Sequence, residues 1–391
     1  MLARERQPEP LGTHMTLRIQ DPTDPASEYL IDTLLEACAG ATRGAGAFAF
    51  LSAGGVQLFL RDRGFADFAE EGTFDLVVGV DAITDLAAVA ALEAVQADLP
   101  SLETNMHIPT HPRSIFHPKF AWFEKPGGGV LVTGSGNLTA GGLRWNVEAF
   151  NVSTLNTGEV RALSAQWDAF KARSAASLFT TDDPMVIARL ERNAERRRLE
   201  RARTPGPRLP RPGEPLPAAA AAAQAETAAD VDALPTVAPT TEVLVAEIPQ
   251  SGSRWKQANF SQETFINFFG ASTTAARTAY LFHVRVDGTV GEQERRPAVV
   301  VASHNYRFEL DAAAGIDYPA EGRPIGIFVR IAMRTFTYML VLPGNPVHSR
   351  LTAVLQAEVP TAGRQMRRVV LPAERVRTVW PASPLWRPLS I

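Results

Sequence analysis

Between residues 204 and 240 the chain reads TPGPRLPRPGEPLPAAAAAAQAETAADVDALPTVAPT, with eight prolines, a run of alanines and almost no large apolar side chain. Such a stretch cannot bury a core, since proline removes backbone donors and alanine offers little apolar area. It predicts two separately packed parts within 391 residues, a length that a single core rarely serves. The expected organisation is a first domain over residues 1–190, a charged helix with the Pro/Ala-rich linker over 191–240, and a second domain over 241–391.

Ahead of the linker, apolar runs and helical patterns alternate. ASEYLIDTLLEACAG (26–40) has helical spacing and ends at Gly. GAFAFLSAGGVQLFL (46–60) reads as one or two buried strands, and FDLVVGVD (74–81) as a strand of a parallel or mixed sheet. A helix follows in AITDLAAVAALEAVQADL. KFAWFE and GVLVTG form a pair of strands around a long KPGGG turn, and VEAFNVST is one more strand. VRALSAQWDAFKARSA then reads as a helix, and a further helix, capped by Asp183 before Pro184, becomes almost wholly charged. This alternation predicts an α/β fold with a mixed sheet flanked by helices. Beyond the linker, TAYLFHVRV, RPAVVVASHNYRFEL and PIGIFVRIAMRTFTYMLVLPG are strand-like runs, so the second domain is expected to be β-rich, with a short helix at SQETFINFFG.

Composition narrows the function classes. The single cysteine, Cys38, excludes an internal disulfide and a cysteine-based zinc site, and fits a reducing cytoplasm. No stretch approaches the roughly 20 apolar residues of a membrane span. The N-terminal MLARERQPEPLGTHM lacks the apolar core of a signal peptide and reads as a lead-in. Residues 241–391 hold 17 Arg+Lys against 12 Asp+Glu, a net +5, so the rest of the chain, at −3 overall, carries −8. That asymmetry leans the second domain mildly toward a polyanion. The chain has only four lysines, Lys119, Lys125, Lys171 and Lys256, so a lysine at a motif position carries weight.

One stretch collects reactive groups: FHPKFAWFEKPGGGVLVTGSGNLT, residues 116–139. His117 and Lys119 are two apart and share one face of a strand. Ser135 and Asn137 sit where a Gly-rich loop leaves the next strand, its backbone N–H groups open to an anion. Asn137 is also placed to cap a helix begun by LTAGGL. An imidazole, an ammonium, a hydroxyl and an amide suit a phosphodiester: the imidazole attacks phosphorus and the donors stabilise the charged pentavalent state. No acidic metal-binding cluster accompanies them, so no metal and no cofactor is expected.

His117-Pro-Lys119 followed by Gly134-Ser135-Gly136-Asn137 resembles the HxK…GSxN signature of the phospholipase D superfamily. Asn146 and Glu148 in GLRWNVEAFN are similar to the N-x-E that follows it in nuclease members. Glu124 stands near where many members carry Asp, and the interval to Gly-Ser is about three residues longer than usual. The resemblance implies a phospholipase-D-like fold, catalysis through a phosphohistidine on His117, and catalytic roles for Lys119, Ser135, Asn137 and Glu148. Glu148 is a candidate to hydrogen-bond and orient His117. His107 and His111 are weaker candidates for the substrate side.

In that superfamily two motifs build one site. None of His283, His304 and His348 has a following Lys or a GSxN partner. The shorter members solve this as homodimers, which implies a dimer sharing one site across a two-fold axis. The layout resembles the phospholipase-D-like restriction endonucleases, whose second domain is a DNA-reading pseudobarrel akin to a plant transcription-factor domain; FSQETFINFFG is similar to an element near its start. On that reading the partner is DNA, the role restriction or phage defence, and the readers Arg254, Lys256, Gln257, Asn259, Asn305, Arg307 and Arg334. The alternative is a nonspecific nuclease effector whose second domain docks a protein such as a helicase. A lipid enzyme is disfavoured by the lack of a membrane-binding stretch.

Overall fold

The computed structural model describes residues 15–24, 26–81, 83–111, 114–203, 232–250, 257–272, 277–298, 306–360 and 366–391. They fall into two compact units, the first comprising residues up to Asp21 with Ser27–Asp232 and the second Pro22–Ala26 with Ala233–Ile391.

The first unit is α/β. Its strands are β1 (Met15–Gln20), β2 (Arg43–Phe48), β3 (Thr73–Gly79), β4 (Leu102–His107), β5 (Lys119–Lys125), β6 (Gly128–Gly134), β7 (Glu148–Asn156) and β8 (Leu178–Phe179). They form one eight-stranded mixed sheet in the order β1-β7-β6-β5-β2-β3-β4-β8. β2, β3 and β4 run parallel and are joined through helices; the remaining pairs are antiparallel. α1 (Leu30–Cys38), α2 (Arg63–Glu71), α3 (Leu86–Asp98) and α4 (Thr157–Arg173) cover the sheet. α4 starts in a capping box, with Asn156 and Glu159 each bonding the other's backbone N–H. Trp167 on α4 buries against Trp122, Ala45 and Ala47 of the sheet, while Phe59, Phe65, Phe68, Phe74 and Phe123 pack edge-on or stacked on the opposite face. Asp183 accepts from Met185 N–H at 2.8 Å and caps α5 (Pro184–Arg203). That charged helix is not wholly solvated: Val186, Leu190 and Asn193 are buried, and Arg189 pairs with Asp81.

Two local expectations fail. Residues 53–60 are not strand but helix, Ala53–Gly55 continuing as a wider turn over Val56–Leu60. Ser52 caps it by accepting Gly55 N–H at 3.0 Å. Val56, Leu58, Phe59 and Leu60 are all fully buried; a helix enclosed on nearly every side has no polar face, so its apolar run mimics a buried strand. KPGGG is not a long turn either. The ladder runs to Lys125↔Gly128, leaving Pro126-Gly127 as the whole connection. Gly127 has φ 86°, the conformation that follows proline in a tight type II turn. The extra residues lengthen the strands, not the loop.

The second unit is β-rich. β9 (Glu242–Glu247), β11 (Thr278–Val284), β12 (Val290–Pro297), β14 (Ile325–Ala332), β15 (Thr335–Val341) and β16 (Arg368–Pro372) form a six-stranded sheet in the order β12-β11-β15-β14-β9-β16. β10 (Gln257–Asn259) and β13 (Arg307–Glu309) make a separate two-stranded ribbon. Arginines tie that ribbon to both edges of the sheet: Arg368 of β16 donates to Asn259 O at 2.6 Å, and Arg296 of β12 to Glu309 O at 2.7 Å. Inside lies an aromatic core of Phe260, Phe265, Phe268, Phe269, Phe308, Phe328, Phe336 and Tyr338, to which α6 (Gln262–Asn267) contributes Phe265. The C-terminal tail packs, with Leu385 and Ser383 buried and Trp386 Nε1 donating to Trp380 O at 2.7 Å.

Candidate active site

His117 lies just before β5, and Lys119 is that strand's first residue. Lys119 stands opposite Phe48 of β2, so the chain beyond β2 runs beside His117. Phe50 meets the His117 ring edge-on, 5.9 Å between centroids. Lys119 Nζ lies 3.2 Å from Nδ1 and 3.0 Å from Nε2 of the same imidazole. An ammonium only donates, and at these distances from both nitrogens it sits against the ring, so which nitrogen accepts depends on the tautomer.

Asn137 is buried, and its Oδ1 accepts the Phe50 N–H at 3.2 Å. That bond fixes which end of the amide is oxygen and leaves Nδ2 as a donor with no acceptor among the described residues. Asn137 therefore does not cap the helix that follows. Thr139 does, accepting Gly142 N–H at 3.0 Å. Phe50 thus touches His117 with its ring and Asn137 with its backbone, joining the two motifs.

Ser135, at the exposed end of β6, accepts Ala149 N–H at 3.1 Å and donates to Glu148. Asn146 Nδ2 donates to the other Glu148 oxygen at 3.1 Å. The expected bond from Glu148 to His117 is absent: the carboxylate is engaged by Ser135 and Asn146, because it opens β7 next to Ser135 while His117 precedes β5. His107 is also elsewhere. It stacks on Phe116 at 4.3 Å, in the aromatic layer with Phe170, and burial lowers its pKa. Among the described residues no group of three His, Cys, Asp or Glu is arranged to hold a metal ion.

In the second unit, the expected DNA readers scatter. Arg254, Lys256 and Asn305 lie outside the described residues. Arg307 is exposed on β13. Gln257 donates to Glu309 at 3.1 Å across the ribbon, and Asn259 is half-buried in the same ribbon with its carbonyl held by Arg368. Arg334 is not on the surface. It sits in the β14–β15 turn at φ 54° and is buried to 5% exposure, so its side chain belongs to the fold and not to a reading surface.

Sequence reasoning missed Phe50, whose role depends on which strand neighbours β5. It also missed Asp232, whose carboxylate receives the Ser52 hydroxyl.

No family model and no curated protein matches the chain. Among solved structures, it is similar to a phospholipase D family member, Nuc from Salmonella typhimurium, at 15% identity and TM-score 0.31, over 40% of this chain and 93% of that one. NucT from Helicobacter pylori gives 9% identity and TM-score 0.30, over 42% and 98%. Phosphatidylserine synthase of Haemophilus influenzae Rd KW20 gives 9% identity and TM-score 0.32, over 49% and 48%. No helix among the described residues is long and apolar enough to cross a membrane.

Proposed function

We propose that the first unit is a phosphodiester hydrolase cutting DNA through a phosphohistidine on His117. The carrying observation is the trio His117, Lys119 and Asn137, joined by the contacts of Lys119 and Phe50. A bound phosphodiester oxygen draws the Lys119 ammonium off the imidazole and frees the ring lone pair. That nitrogen forms a bond to phosphorus as the P–O bond to the leaving oxygen breaks, while Lys119 and Asn137 Nδ2 stabilise the charge on the equatorial oxygens. The leaving oxygen takes a proton from a second imidazole, which then removes one from the water that cleaves the N–P bond. The second imidazole is His117 of another copy, so the working form is a homodimer. The second unit supplies DNA recognition, in a restriction or phage-defence role, with exposed Arg307 as its first candidate reader. Burial of Arg334 removes it from the candidate readers, and the alternative reading of that unit is docking of a protein partner by a nonspecific nuclease.

The test is plasmid cleavage in EDTA by wild type and His117→Ala. The proposal expects cutting by the wild type, a loss of at least about 10³-fold in the variant, and a base-stable covalent protein–DNA adduct when turnover is quenched. Strict dependence on magnesium overturns it. Discrete fragments favour sequence reading by the second unit, and random degradation favours the partner-docked effector.

A further inference from the structure

Asp232 lies within the Pro/Ala-rich stretch and is its first described position, and it belongs to the first unit. Its carboxylate accepts the Ser52 hydroxyl and also bonds the backbone N–H groups of Gly54 and Ala140. Ser52 and Ala140 are 4% and 0% exposed. A Cβ built on Gly54 would lie 2.4 Å from Asp232 Oδ1, so the SAGG sequence at 52–55 supplies both the donor and the clearance that this carboxylate needs.

Asp232 thereby bridges two turns, 51–55 and 138–141. The same turns carry the candidate site one residue earlier. Leu51 and Leu138 form a β-bridge, and Ser52 N–H donates to Leu138 O at 3.2 Å. Just ahead of that bridge, Phe50 N–H holds Asn137 and the Phe50 ring meets His117.

We infer that Asp232 is a positioning residue: it clamps the 51–55 and 138–141 turns together and so keeps Asn137 and Phe50 in register with His117. This rests on the phosphodiesterase reading above for its catalytic consequence, but the clamp itself does not. Burial raises the Asp232 pKa, the negative charge of Asp85 adds to that, and the Ser52, Gly54 and Ala140 donors oppose it. The clamp works through hydrogen-bond acceptance by two oxygens, and an amide of the same shape keeps one of them and replaces the other with a donor.

The experiment uses the full chain with Asp232→Ala, Asp232→Asn and Gly54→Ala. Gly54→Ala displaces the carboxylate without altering it and keeps the result interpretable should Asp232→Ala fold poorly. Amide hydrogen exchange is followed at 50–55 and 138–142, beside kcat and KM for DNA cleavage. Asp232→Ala and Gly54→Ala are expected to raise exchange in both turns and to lower kcat about 10- to 100-fold with KM within about twofold, the range typical of residues that orient a catalytic group. Asp232→Asn, which keeps one acceptor oxygen, is expected to fall between wild type and Asp232→Ala in both readouts. Unchanged exchange in the Ala variants overturns the clamp. Raised exchange with wild-type kcat overturns the positioning role. Should the wild type cleave nothing, the hydrolase reading fails, and exchange still decides the clamp.

Discussion

Asn137 shows how one side chain can serve the fold and the chemistry at once. Its Oδ1 is committed to Phe50 N–H, and only Nδ2 is left to meet a phosphate oxygen. Asn137→Asp separates the two uses. A carboxylate still accepts from Phe50, so the thermal midpoint should stay within a few degrees of wild type. The donor becomes a negative oxygen, and cleavage should fall roughly 10²- to 10³-fold, the usual cost of one lost transition-state donor. Steady-state cleavage and a thermal melt check both halves; wild-type activity would remove Asn137 from the mechanism. At this scale His117, Lys119, Ser135 and Asn137 were legible in the sequence because each pair is separated by one residue, so local spacing alone sets its geometry. Phe50 and Asp232 were not, since they reach the site across 67 residues (50 to 117) and 180 residues (52 to 232), and spacing carries nothing over such distances. Glu148 is a site candidate whose partners are Ser135 and Asn146 rather than His117, because the side chain's neighbour depends on where β7 begins relative to β6.

Elements were legible where a pattern has one explanation. The helix at 86–98 and the strands 119–125 and 128–134 lie where their patterning put them. The 53–60 helix was not legible, because full burial erases the polar face that marks a helix. β12 hides a different feature. Glu294 is 3% exposed and accepts from Tyr338 OH at 2.5 Å, Arg296 Nη2 at 2.9 Å and Asp311 N–H at 3.2 Å. Burial raises its pKa from 4.5 to about 7, with Asp311 adding to the rise and Arg296 opposing it. Tyr338, raised by burial and by Glu294, stays protonated. A carboxyl with a raised folded-state pKa contributes stability that is complete below about 4.5 and is lost as pH climbs through about 7. Its full span is on the order of 3 kcal/mol, at about 1.4 kcal/mol per pH unit. Urea unfolding at pH 5 and pH 8 should show the second unit weaker at pH 8, and Glu294→Gln should remove most of that difference. An identical pH dependence in the variant would refute it.

At the scale of the whole molecule, the proposal of a shared site needs a surface for a second copy, and β1 offers one. Met15, Leu17 and Ile19 point to one face of the sheet and are 66%, 64% and 61% exposed. They stand opposite Ser153, Asn151 and Ala149 of β7, so the uncovered stripe runs along the strand that begins at Glu148. Val147, beside Glu148, is 68% exposed, and Ile115, two residues before His117, 62%. Exposed apolar residues gathered along an edge strand are a liability that proteins otherwise shield with charge or cover. On the proposed dimer, a two-fold contact would cover the stripe with its own copy. Leu17→Glu puts a like charge against its own symmetry mate at such a contact and leaves the unit's core untouched. The expected result is a halved mass in sedimentation at micromolar concentration, an unchanged thermal melt at high dilution, and cleavage per chain reduced at least about 100-fold, since the second imidazole is lost as general acid. A Leu17→Glu protein that sediments as a monomer and still cuts at the wild-type rate would show that a single His117 suffices, and the two-chain site would have to be abandoned.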